Sequence, residues 1–199
     1  MNEGLKIVLS GPSGSGKGTI VKELIKKENF CLSISATTRL PRQGEEEGVH
    51  YFFKTKEEFE KMIANHELLE YACFCDNYYG TPKAFIEESV QKGKDVILEI
   101  EVQGAKQIKE IYPEAIFIFV MPPSLDELEK RLVGRNTESQ EVIKQRLARA
   151  KEELSLYEAY NYIVINDTLD EAVAEINEIV KVEKKKSHFY KEKIEEMIK

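Results

Sequence analysis

Apolar positions along the chain gather into short runs of buried-strand type, separated by stretches with helical spacing. The runs are residues 6–10, 31–35, 95–102, 115–121 and 162–166, the fourth continuously apolar and bounded by Pro113 and Pro122. Between them, apolar residues recur every three or four positions over 19–28 (Ile20, Val21, Leu24, Ile25), 103–111, 124–133, 139–160 and 169–181, which predicts helices. Strands alternating with helices predict an α/β fold with a five-stranded parallel sheet and helices on both faces. Residues 36–81 break this rhythm. They read as a loop (37–49), a short aromatic strand (50–53), a helix (56–65), a strand (68–74) and a turn at Asp76-Asn77 leading to Tyr78-Tyr79-Gly80. The expected organisation is one domain. Its core is formed by about 1–35, 82–123 and 160–199, with a small mixed α+β insert over 36–81 and a helix pair over 124–159.

Composition narrows the function classes. The 199 residues carry 29 basic and 36 acidic side chains, a formal net charge of −7. That balance argues against nucleic acid as a partner. No 18-residue apolar run marks a membrane span. The N-terminal residues enter a strand almost at once, without a signal peptide, and three cysteines cannot all pair; a cytoplasmic protein with free thiols is expected. The tail 181–199 holds seven lysines against four acids and reads as a solvated helix end.

The most specific motif is Gly11-Pro12-Ser13-Gly14-Ser15-Gly16-Lys17-Gly18-Thr19, which follows a strand and opens a helix. That context identifies a phosphate-binding loop. Glycines let successive backbone N–H groups turn inward around an anion, and the helix N-terminus adds partial positive charge. Lys17 is expected to reach the β- and γ-phosphates of a nucleoside triphosphate. The strict motif places a metal-gripping Ser or Thr directly after the lysine. Here that position is Gly18, and the hydroxyl comes at Thr19. Mg²⁺ is therefore expected to be held mainly by nucleotide phosphates and water, with no strong protein ligand.

Arginine usage supplies a second signal. The chain has 23 lysines and six arginines, and the arginines fall in two segments: Arg39 and Arg42, then Arg131, Arg135, Arg146 and Arg149. The planar guanidinium grips phosphate oxygens bidentately. Arg131 and Arg135 share a helix face at i, i+4, and Arg146 and Arg149 stand at i, i+3 on the next helix. Two arginine-bearing helices joined by a short turn look like a lid that closes on a triphosphate and neutralises the transferred group.

The phosphate loop, the segment Ser35-Ala36-Thr37-Thr38-Arg39-Leu40-Pro41-Arg42, the later Tyr78-Tyr79-Gly80 and the arginine-bearing helix pair resemble the guanylate kinase family over roughly residues 4–182. The resemblance implies ATP + GMP (or dGMP) giving ADP + GDP with Mg²⁺, in a chain whose oligomeric state stays open. It implies that Arg39, Arg42, Tyr51 and Tyr79 hold the GMP phosphate, with Thr81 adding a hydroxyl and Glu45 beside that phosphate and the metal. Glu70 and Ser35 match the family's guanine-reading pair: a carboxylate accepts from guanine N1–H and N2–H₂ together and rejects adenine. Glu99 and Glu101 end the third strand near GMP and the metal. The family usually has aspartate at the second position, so Glu101 either reaches through a water or crowds the base. Arg135 and Arg146 match lid arginines on the ATP phosphates, with Arg131 beside them, and Asn166 and Asp167 match the region at the adenine end. Lys17, Arg42, Arg135 and Arg146 are the expected catalytic set.

Other signals carry less. Cys73 and Cys75 lack metal-site spacing, and His50, His66 and His188 have no matched nucleophile. Three rival readings remain open at this level: a guanylate-kinase-like module binding phosphorylated peptides, a kinase of a phosphorylated sugar, and a kinase of another monophosphate such as AMP or dTMP.

Overall fold

A computed structural model describes residues 3–27, 29–42, 44–74 (backbone only at Phe74), 76–134 and 140–199. The chain runs β1 (Lys6–Ser10), α1 (Lys17–Leu24), β2 (Phe30–Leu32), β3 (Ala36–Thr37) and β4 (Phe52–Phe53). It continues through α2 (Lys56–Ala64), β5 (Leu68–Phe74), β6 (Asn77–Pro82), α3 (Lys83–Gln91), β7 (Asp95–Glu99) and α4 (Val102–Ile111). Then come β8 (Ile116–Met121), α5 (Leu125–Val133), α6 (Gln140–Leu154), β9 (Tyr162–Ile165), α7 (Leu169–Glu183) and α8 (Lys191–Ile198), with 3₁₀ turns at Tyr157–Ala159 and Ser187–Tyr190.

The main sheet has the order β2-β7-β1-β8-β9 and every pairing in it is parallel. Its strands are apolar on both faces because both faces are covered. On one face Ile7, Leu9, Ile118 and Val120 pack against Ile20 and Leu24 of α1 and Ile176 of α7. On the other, Val8, Val96, Leu98 and Phe117 pack against Ile86 and Val90 of α3 and Ile108 of α4. The chain leaves β1 toward β2 on one side of the sheet and passes from β7 to β8 on the other. Ligands bind at such a switch point, at the carboxyl ends of the strands.

A second sheet, ordered β4-β3-β6-β5, is mixed: β3 runs parallel to β4 and antiparallel to β6, and β5 is antiparallel to β6. It has a core of its own in which Ala36, Phe59 and Leu68 are buried and Phe52, Met62, Ile63 and Tyr78 pack around them. Helix α2 is fixed by a capping box, Thr55 accepting from Glu58 N–H and the Glu58 side chain accepting from Thr55 N–H. A third small core joins α5 to α6 through Leu128, Leu132, Ile143 and Ala150.

Several sequence-based boundaries move. The second strand spans Phe30–Leu32 instead of 31–35. The third strand stops at Glu99, because Glu101 already stands at the N-cap of α4. The periodicity over 139–160 divides into α6 and a 3₁₀ turn. Helix α3 and the two-residue strand β3 lie where the pattern predicts neither. At the far end from the carboxyl edge, buried Asp95 accepts from Leu5 N–H (3.0 Å) and from Lys184 Nζ (2.6 Å), which follows the end of α7. Phe189 in the following 3₁₀ turn packs onto the main core.

Candidate active site

The loop between β1 and α1 has its shape because three of its positions carry no side chain. Gly11, Gly14 and Gly16 all have positive φ (147°, 93° and 93°), a region that disfavours other residues. A Cβ on Gly11 would stand 1.9 Å from Val120 O, and one on Gly16 2.2 Å from Asn166 Nδ2. Gly14 is pressed against the opposite wall, 2.8 Å from Leu128 Cδ1 and 3.0 Å from Leu132 Cδ2 by the same measure, so α5 packs directly over the loop. Lys17 opens α1 and folds back to donate to Gly11 O (2.6 Å) and Pro12 O (3.2 Å). The Ser15 hydroxyl is buried within the loop and has no hydrogen-bond partner among the described residues.

Two residues after β9 have separate placements. Asn166 is buried and donates from Nδ2 to Ser15 O (2.7 Å), bracing the loop, while its own carbonyl accepts from Arg131 (2.9 Å). Asp167 is exposed. Arg131 also bonds Glu127 on its own helix (3.2 Å), and Arg146 Nη1 lies 3.5 Å from Ser13 Oγ. Arg135, and residue 139 at the expected start of the next helix, lie outside the described residues.

The loop faces a carboxylate across the mouth of the site. A Cβ at position 18 would sit 3.5 Å from Glu99 Oε1, so the glycine replacing the usual hydroxyl residue looks onto the end of β7. Glu99 reaches solvent on one side, yet the protein around it pushes its carboxyl above the usual carboxylate range. Lys17 opposes that rise and Glu101 adds to it.

The second sheet carries the other candidate cluster. Glu70 on β5 and Thr81 on β6 face each other, Thr81 Oγ1 donating to Glu70 Oε1 at 2.6 Å. Burial pushes the Glu70 carboxyl above its ordinary 4.5, against the pull of the Thr81 hydroxyl. Its other oxygen would lie 3.5 Å from a Cβ on Gly104, so Glu70 points at the N-terminal turn of α4. Ser35 stands directly before β3, and its carbonyl accepts from Phe52 N–H at 2.9 Å.

Arg39 follows the end of β3. Its Nη2 forks onto both oxygens of Glu45 (2.8 and 2.9 Å) and its guanidinium lies 5.5 Å from the centre of the Tyr51 ring. Tyr51 and Tyr79 meet edge to face at 6.2 Å. Glu45 also accepts from Arg42 N–H (2.7 Å), and the Arg39 guanidinium holds its carboxyl below the usual range. Arg39, Glu45, Arg42, Tyr51 and Tyr79 therefore form one connected patch. The arginine that the sequence singles out for a phosphate is held by an internal carboxylate that the resemblance places beside that phosphate.

A model of the family described as guanylate kinase matches residues 3–183. The chain belongs to the guanylate kinase family. Family members are nucleoside-monophosphate kinases, and the resemblance carried by the loop and the Thr-Thr-Arg segment has this basis. The chain is 54% identical to a guanylate kinase of Clostridioides difficile, aligned over 100% of this chain and 98% of that protein. It is 58% identical to one of Bacillus anthracis over 89% of this chain and 87% of that protein. The crystal structure of guanylate kinase from Anaplasma phagocytophilum superposes with a TM-score of 0.73 at 37% identity, covering 94% of this chain and 89% of that one.

Among the described residues no three His, Cys, Asp or Glu side chains gather as a metal site, and no helix is long and apolar enough to cross a membrane. Gly104, which leaves room beside Glu70, carries no motif signal, and Arg149, which the arginine clustering marks as a lid residue for a triphosphate, instead reaches Glu101.

Proposed function

We propose that this chain transfers the γ-phosphoryl group of ATP to GMP, and to dGMP, as a cytoplasmic enzyme. The observations that carry the reading are the glycine-shaped anion cradle between β1 and α1 and the half-buried Glu70 carboxylate held by Thr81 beside the N-terminal turn of α4. The loop residues Gly11 to Thr19 bind the donor phosphates. Their amides and Lys17 supply positive charge. Arg146 and Arg135 come from the helix pair to the transferred group, with Arg131 and Asn166 bracing the loop and Asp167 at its rim. Excluding water there keeps ATP from being hydrolysed.

Arg39, Arg42, Tyr51 and Tyr79 bind the acceptor phosphate, and Glu45 keeps Arg39 and the Arg42 segment in place until it arrives. Glu70, Thr81 and Ser35 read the guanine edge. The acceptor oxygen is already ionised, so positioning and charge neutralisation do the chemistry without a strong general base. The residues also fit Mg²⁺. The cradle leaves no side chain at position 18, and Glu99 faces that gap. Bound with ATP, the metal supplies charge neutralisation between the phosphates. Glu99 would help hold such a hydrated metal, and Glu101 would stand near it on the acceptor side.

The test is ADP release from Mg-ATP with GMP, dGMP, AMP, UMP, dTMP and no acceptor, each saturating. Rapid turnover with GMP, less with dGMP and background elsewhere supports the reading. Equal turnover with AMP, or silence with every nucleotide despite GMP binding, overturns it.

A further inference from the structure

Helix α6 presents two guanidinium groups one turn apart to two different places. Arg146 lies by Ser13 of the phosphate loop. Arg149, three residues on, points to the acceptor side. Its Nη2 donates to Glu101 Oε2 at 3.3 Å and its Nε to Glu153 Oε1 at 2.8 Å. Glu153 is 8% exposed. A carboxylate so buried needs a counter-charge, so Glu153 fixes the guanidinium that meets Glu101. The far side of Glu153 is equally enclosed: its Oε2 is buried, as is the hydroxyl of Tyr160, which lies against Ser10 at the end of β1. Ser10 in turn donates to Ile100 O (2.7 Å), one residue before Glu101.

Glu101 stands at the N-cap of α4 without capping it. Among the described residues Arg149 is the hydrogen-bond partner of its carboxylate. Glu99, two residues back, repels it. A lysine at 149 would keep a charge beside Glu153 but lacks the planar fork that spans two carboxylates.

We propose that Arg149 is a positioning residue for Glu101, holding that carboxylate at the acceptor pocket and tying the seating of α6 to acceptor binding. This rests on the acceptor-site reading given above. Since Arg146 and Arg149 share one helix, a shift of α6 that brings Arg146 onto the donor phosphates carries Arg149 and Glu101 with it. Donor and acceptor then bind with positive coupling.

The experiment compares wild type, Arg149→Lys, Glu101→Gln and the double variant. Steady-state kinetics is combined with calorimetric GMP binding, with and without a non-hydrolysable ATP analogue. Arg149→Lys should raise KM for GMP about two- to fivefold, the range of one partly exposed ion pair, and leave KM for ATP in place. The analogue should tighten GMP binding in wild type and not in Arg149→Lys, and the double variant should be no worse than Glu101→Gln alone. Effects of the two substitutions that multiply, a rise confined to KM for ATP, or undiminished tightening by the analogue would each overturn the proposal. Should Arg149→Lys fail to fold, Glu101→Gln decides: it must abolish the tightening by itself. Failure of wild type to use GMP at all would sink the acceptor-site reading instead, a separate outcome.

Discussion

Replacing Glu70 by glutamine should move catalysis and stability in opposite directions. The carboxylate accepts from Thr81 at 2.6 Å and sits where burial disfavours its charge. In the proposed acceptor pose guanine presents two donors to it. A glutamine offers one acceptor oxygen and turns an NH₂ toward the second donor, so one charge-assisted hydrogen bond is lost and a buried donor is left unpaired. That loss is about 1.5–3 kcal/mol, or about 10- to 150-fold in kcat/KM for GMP. Stability has the other sign. A carboxyl whose pKa is raised in the fold binds its proton more tightly folded than unfolded, so its contribution is full below pH 4.5 and is lost as pH rises through the folded value. At pH 7 the Glu70→Gln variant should therefore melt at or above wild type. The gap should close in acid, below the ordinary carboxylate value. The assays are a kcat/KM ratio for GMP over AMP and a melting series from pH 4 to pH 8. A variant that keeps its GMP preference within threefold refutes the guanine-edge reading. One that melts well below wild type at pH 7 refutes the desolvation argument.

Two further outcomes test other parts of the site. Lys17→Ala removes the ammonium at the centre of the loop; turnover should fall at least about 100-fold while calorimetric GMP binding persists, and near-normal turnover would contradict the loop assignment. Phe59→Ala empties the middle of the second sheet's small core at a cost of about 3–5 kcal/mol. GMP binding should disappear at temperatures where an ATP analogue still binds, and simultaneous loss of both ligands would show that the two sheets melt as one unit.

The main sheet is legible because its strands are continuously apolar and its turns are marked by glycine and proline. Strand β5 is read over its whole length, since it stands between a capped helix and a tight turn. Helix α3 escapes because its nine residues bury little more than Ile86 and Val90, too short a stripe to stand out beside three consecutive polar positions. Strand β3 escapes because two residues have no period, and its pairing with β4 and β6 is set by tertiary contact alone. The phosphate loop is visible as glycine spacing, yet the reason for Gly14 is not. It lies in Leu128 and Leu132, more than a hundred residues away. Asn166 and Arg149 illustrate the same limit. The resemblance places one at the nucleotide, and the clustering of arginines groups the other with the lid. Only the folded geometry shows the first bracing a loop carbonyl and the second reaching the carboxylate of Glu101.

The bond between Lys184 and Asp95 bears on where the chain can be cut. The family match ends at residue 183, so a trimmed version stopping there would retain every nucleotide contact proposed above. It would also strip the counter-ion from a carboxylate that is 2% exposed and that anchors the first residue before β1. Lys184 is itself partly exposed, so leaving the buried carboxylate without it costs about 1–3 kcal/mol, still a sizeable share of a domain's whole stability. Phe189 would be lost from the main core in the same cut. The smallest self-sufficient version of this protein therefore extends past the family boundary, to about residue 190.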